Sequence, residues 1–237
     1  MAVLQVTVIA AVLLSAGCFK ELAISTAINP CAVEVDKDQR QPLQAPALMG
    51  IGNQYLTDAL GDMASAGGIG STAKLQKSNE CFDRALRLAP DNYEAQLSIG
   101  VTYLARARLT MEGPERRSLL QGARHMLGSA YMLRHGAYEP LYYLAEVAVT
   151  EDNPALARKL VEPLQRAHVK DGPVNALLGY LDERDGKLDD AREAYRKAIA
   201  AGWPAESLSF ATARLATLGD SGRRAQPAQV SAQKAGG

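Results

Sequence analysis

Small side chains recur in this chain at a fixed step, and nothing else in the sequence limits the fold as tightly. Ala66, Gly100, Ala145 and Gly179 are spaced by 34, 45 and 34 residues. A second set, Ser78, Ala123, Ala157 and Ala191, is spaced by 45, 34 and 34. Four positions after each member of the second set stands a packing residue: Phe82, Leu127, Val161 and Tyr195. Three further on come Ala85, Ala130, Leu164 and Ala198. Offsets of four and three place these residues on one helical stripe. Small residues belong where two helices cross closely, and the larger apolar ones fill the gaps between them. A step of this length marks a two-helix unit that cannot bury its apolar face alone and must stack on its neighbours. Both longer steps exceed the shorter by eleven, so one insertion accounts for them. LTMEGPERRS, from Leu109 to Ser118, has the Gly-Pro pair and the charge expected of that extra loop.

The segment from Gly172 to Trp203 carries Leu178-Gly179, Gly186, Ala191, Tyr195 and Ala198, with Pro204 behind it. This arrangement resembles the tetratricopeptide repeat (TPR), a 34-residue helix-turn-helix. The resemblance implies an all-α TPR-type superhelix over 49–217, with about four repeats and a capping helix from AESLSFATARLATL. Pro163 falls inside a second helix, where it removes a hydrogen bond and is expected to kink it. Five glycines in IGNQYLTDALGDMASAGGIG weaken the first helix of the first repeat. In proteins of this kind the concave groove is lined by first helices. Carried onto this chain, its positions hold Glu94, Leu97, Ser98, Val101 and Leu104, then Glu139, Tyr142, Tyr143, Glu146 and Val149, then Pro173, Ala176, Leu177, Tyr180 and Glu183. Tyrosine combines a large contact area with a polar tip, which suits interfaces. The implied ligand is an apolar helix or extended segment of a partner protein, with some basic character to meet Glu94, Glu139 and Glu146. Lys and Asn are nearly absent from these positions, so the two-carboxylate clamp of chaperone-binding TPR domains is not expected.

The N-terminus reads MAVLQVTVIAAVLLSAGC, an uncharged run ending in small residues before Cys18. It is shorter than the roughly 20 apolar residues a membrane span needs and has the length of a signal-peptide core. Leu14-Ser15-Ala16-Gly17-Cys18 resembles a bacterial lipobox, although no Lys or Arg precedes the core. That resemblance implies cleavage of residues 1–17, lipidation of Cys18 and a stable acyl anchor. Phe19 after the lipidated cysteine points to the periplasmic face of the outer membrane. Residues 18–48 then form a tether, and 218–237 a disordered tail without apolar period. Cys31 and Cys81 are open to two readings: a disulfide in an oxidising compartment, or Cys81 as a small hydrophobe in a packing helix.

Lys plus Arg and Asp plus Glu each number 26, and no long basic run occurs, which argues against a nucleic-acid partner. Aromatic residues make up only 5%, low for a β-sandwich or barrel. No catalytic motif is present, and no cofactor or metal is expected. Gly67, Gly68 and Gly70 read as an inter-helix turn rather than a phosphate loop. His125, His135 and His168 belong to different repeats or turns, so no shared metal is expected of them. Asp182, Glu183, Asp185, Asp189 and Asp190 surround a helix turn, where acidic groups suit the dipole of the following helix. The combination of fold and anchor suggests a non-enzymatic membrane-anchored scaffold. By analogy it is pilotin-like, acting in secretin assembly for a type IV pilus or secretion system. Two rival readings are an adaptor for peptidoglycan-processing enzymes and a solute-binding component of a TRAP transporter. Residues 18–27, CFKELAISTA, are faintly similar to the start of such components.

Overall fold

The computed structural model describes Cys31 and residues 44–65, 70–167, 171–201 and 205–224. These residues are helical throughout, with no strand among them. In chain order the helices are α1 (Ala45–Ser65), α2 (Ser71–Leu88), α3 (Tyr93–Leu109), α4 (Pro114–Leu133) and α5 (Tyr138–Thr150). They continue with α6 (Pro154–Arg166), α7 (Gly172–Arg184), α8 (Leu188–Ala201) and α9 (Ala205–Arg224). The chain divides into two compact units, Met1–Pro140 and Leu141–Gly237, where the sequence suggested one array.

Side chains start several helices. Asn92 accepts from the Ala95 N–H at 3.0 Å and opens α3; Asn153 does the same for Leu156 at 3.0 Å and opens α6. Asp171 caps α7 through the Val174 N–H at 3.4 Å. Each cap satisfies one of the backbone donors that a helix start leaves without a partner. Pro114, Pro154 and Pro173 stand at the first positions of α4, α6 and α7, where a missing N–H costs nothing.

The repeat contact itself is direct. At Gly179 an added Cβ would lie 2.6 Å from the ring of Tyr195, and at Gly100 2.6 Å from Leu127. Each second-helix packing residue therefore sits on the backbone of its first helix, in the α3/α4 and α7/α8 pairs alike. In the unit ending at Pro140 the core gathers Leu48, Leu56, Leu75, Phe82, Ala85 and Ile99. The unit starting at Leu141 has one core of Ala145, Val161, Val174, Leu177 and Leu181. A further cluster there joins Ala176, Ala191, Tyr195, Ala198, Ala211 and Leu218. The described residues are thus an all-α helix-turn-helix repeat of the TPR type, closed by α9.

Four expectations meet different outcomes. Among the described residues of the first pair the close approach is at Gly52: its Cβ position lies 2.6 Å from Phe82, and its carbonyl accepts from the Ser78 hydroxyl at 2.9 Å. Helix α1 has 21 residues, Ala45–Ser65, and Ala66 lies outside the described residues. Second, the eleven extra residues do not form one loop. Pro114 starts a helix instead of lying within a turn, so the insertion lengthens α3 and α4 to 17 and 20 residues and leaves only 110–113 between them. Third, Pro163 does lie inside a second helix, α6, a single element that ends at Arg166. Fourth, α9 continues past Leu218 to Arg224, because the loss of apolar period does not by itself stop a backbone that meets no proline before Pro227. Of the two readings of the cysteines, the disulfide holds: Cys31 and Cys81 are bonded, with Cα atoms 4.9 Å apart. The Arg84 guanidinium donates to the Cys31 carbonyl at 2.9 Å beside it.

Candidate protein-binding faces

The positions expected to line a groove divide between the two units. In the unit ending at Pro140, α3 supplies Glu94, Leu97, Val101 and Leu104. Leu104 is 1% exposed and belongs to the core, which corrects its assignment to a binding surface. Val101 is half-buried against the core around Phe82 and Ile99, and Leu97 is half-buried. Glu94 is exposed and pairs with Arg134 at 3.5 Å. That guanidinium also lies over the Tyr93 ring, 3.8 Å from its centre. Glu139 receives the Tyr93 hydroxyl at 3.5 Å. Burial, followed by the negative Glu139 beside it, pushes the Tyr93 hydroxyl above the ordinary tyrosine value.

In the unit starting at Leu141, Tyr142, Tyr143 and Glu146 share α5. Tyr142 leans on the core of Ala145, Val161 and Leu177, and its hydroxyl donates to Glu146 at 2.8 Å. The partner sits four residues on, where two side chains of one helix face meet. Tyr143 meets the Tyr142 ring edge-on, with centres 5.1 Å apart, and stays half-exposed. Leu177 on α7 is 7% exposed and packs inward, so it too leaves the list of binding residues. Tyr180 is half-buried beside Phe210 of α9, with ring centres 6.4 Å apart. Phe210 is 41% exposed and was not legible as a surface residue, because it sits in the segment read as a cap. Each first-helix stripe thus presents fewer open positions than a groove template implies. The three carboxylates expected to await a basic ligand all have partners within the chain: Arg134 for Glu94, Tyr93 for Glu139 and Tyr142 for Glu146.

Sequence reasoning also missed the ionic ties of the second unit. Arg158 of α6 bridges Asp182 at 2.7 Å and Asp185 at 2.6 Å. Arg184 donates to Asp152 at 2.6 Å. Glu183 accepts from the Tyr195 hydroxyl at 3.0 Å and from the Arg214 guanidinium. These partners lie 12 to 32 residues away in sequence, beyond any local pattern. Asp189 and Asp190 do occupy the first turn of α8, as the dipole argument requires. His125 and His135 are exposed, and the His135 ring lies 5.9 Å from that of Tyr131. Among the described residues no group of three or more metal-ligating side chains occurs, and no helix is long and apolar enough to cross a membrane. Cys18 and His168 lie outside the described residues.

No family model and no curated protein sequence matches this chain. Among solved structures, that of PilF from Pseudomonas aeruginosa aligns over 77% of this chain and 95% of its own. The identity is 15% and the TM-score 0.35. A likeness at that level says nothing about partner or reaction.

Proposed function

We propose that this chain is a non-enzymatic scaffold, lipid-anchored through Cys18 at the periplasmic face of the outer membrane, that holds a partner protein there. The observation that carries the reading is the α5 constellation. Tyr142 is tied to Glu146 and to the core, and it braces Tyr143, a half-exposed aromatic on a rigid helix. A braced tyrosine loses little side-chain freedom on binding, which is what makes such residues effective anchors. An aliphatic or aromatic side chain from a partner helix or extended segment would pack on it. The Cys31–Cys81 bond accords with an oxidising compartment, and the small residues before Cys18 supply the anchor site. Anchoring raises the local concentration of a bound partner at the membrane. The role is pilotin-like: the partner is an outer-membrane secretin subunit escorted to its assembly site.

The test uses the full chain with a photo-crosslinking side chain at Tyr143, in cells that process its signal. The expected product joins the chain to a secretin subunit and disappears in Tyr142→Ala/Tyr143→Ala. A product with a peptidoglycan-processing enzyme would replace the pilotin role with the adaptor role. An unchanged set of products in the double variant would remove α5 as the binding face. Separately, Cys18→Ala is expected to shift the protein from the detergent phase to the aqueous phase and to abolish acyl labelling.

A further inference from the structure

By its sequence the lipid tether runs from Cys18 to residue 48, but the folded chain grips it well before α1 begins. Cys31 is bonded to Cys81 of α2 and is only 3% exposed. It packs into the core that holds Leu75, Phe82 and Ala85. The Arg84 guanidinium, about one helical turn beyond Cys81, donates to the Cys31 carbonyl at 2.9 Å. Cys31 is thus fixed within the unit ending at Pro140 by a covalent bond, by burial and by a hydrogen bond. Thirteen residues of chain lead from Cys18 to Cys31, whereas 27 lead from Cys18 to Ala45, where α1 starts. Extended chain covers at most about 3.5 Å per residue. The two attachment points therefore differ twofold in reach, about 45 Å against about 95 Å.

We infer that the membrane tether ends at the Cys31–Cys81 bond, so that this bond, not the start of α1, sets how far the fold can stand from the membrane. With Cys18 acylated, Cys81 stays within about 45 Å of the lipid, whatever path the residues between take. The bond acts as a fixed spacer and not as a redox switch. Cys81 is 0% exposed and Cys31 3%, and a thiolate must reach a sulfur to exchange with it. A soluble thiol therefore meets neither sulfur until α2 loosens from the core. The short leash keeps the unit ending at Pro140 close to the membrane, where confinement raises its local concentration. The inference rests on the lipid anchor proposed above and is independent of the α5 face.

The test places one 14-residue Gly/Ser insert, the length of chain from Cys31 to Ala45, at either of two points in the full lipidated chain. The first insert lies between Asn29 and Pro30, before the bond, and the second between Asp38 and Gln39, after it. Neither alters a cysteine or a helix. The chain is reconstituted in a phosphatidylethanolamine–phosphatidylglycerol bilayer supported on graphene, with a dye on an azide side chain at position 88. Leu88 is 56% exposed and stands seven residues beyond Cys81 on α2. Quenching by the graphene reads the height of the dye. The first insert, with an r.m.s. span of about 20 Å, is expected to raise the dye by about 10–20 Å. The second is expected to leave its height unchanged. In Cys31→Ser/Cys81→Ser the second insert is expected to raise the dye as much as the first does. Equal rises from the two inserts in the bonded chain, or no rise from either, would overturn the inference. If Cys18→Ala leaves the chain equally bound to the bilayer, the acyl anchor falls and the inference with it. Equal rises in a chain whose binding needs Cys18 would remove the inference alone.

Discussion

At Gly179 a methyl group would stand 2.6 Å from Cδ1 and Cε1 of Tyr195, a ring that cannot swing aside. Tyr195 is fully buried, and its hydroxyl is held by Glu183, which Arg214 in turn holds. Gly179→Ala is therefore expected to lower stability by about 1–3 kcal/mol despite the better helix propensity of alanine. Gly50 of α1 has nothing within 4 Å, so Gly50→Ala is expected to raise stability by about 0.5–1 kcal/mol. Urea denaturation of both variants checks the contrast, and equal effects would refute the close-approach argument. Tyr195 also sets a pH dependence. Burial first, then the hydrogen bond to Glu183, raises its pKa above the ordinary value of about 10. The native state thus keeps a proton that the unfolded chain releases. The contribution is whole below about pH 10 and falls as pH climbs through the raised native value. Alkaline unfolding followed from pH 9 upward is expected to be steeper in the parent than in Tyr195→Phe.

Among the helices, two departures from the sequence reading share a cause. The register at Gly100 and Gly179 was legible because each stands under a packing residue whose spacing the sequence repeats. In the first pair Gly52, which stands outside that arithmetic, makes the close approach to Phe82, and only the contact itself shows it. Likewise Gly113-Pro114 marks a helix start rather than a loop interior, a distinction the dipeptide alone does not make. Of the expected groove, Tyr143 and Tyr180 keep accessible surface, while Leu104 and Leu177 turn inward. A period identifies a stripe, but where that stripe meets the neighbouring helix depends on contacts many residues away. The capping residues make a prediction at this scale. The Asn153 side chain satisfies the Leu156 N–H at the start of α6, a helix of 13 residues with Pro163 in its final turn. Asn153→Ala is expected to cost about 1 kcal/mol. Hydrogen exchange is expected to speed first along α6, and uniform loosening of every helix would count against the cap.

For the molecule as a whole, the disulfide closes a loop with a sequence separation of 50 inside the unit that ends at Pro140. On the chain-entropy account such a loop is worth roughly 4 kcal/mol. Reduction, or Cys31→Ala/Cys81→Ala, is expected to lower the melting temperature of that unit by about 10 °C or more. Exchange rates in α7 and α8, which lie outside the loop, are expected to stay near their oxidised values. If those helices lose protection equally, the two compact units do not unfold separately. The same bond has a mechanical meaning. Tension applied anywhere upstream of Cys31 crosses the sulfur bridge and enters α2 at Cys81, while α1, enclosed between the two cysteines, is shielded from the load. A tug on the leading end is thus carried by a covalent rivet at α2, and reducing that rivet would reroute the same pull through α1 before it reached α2.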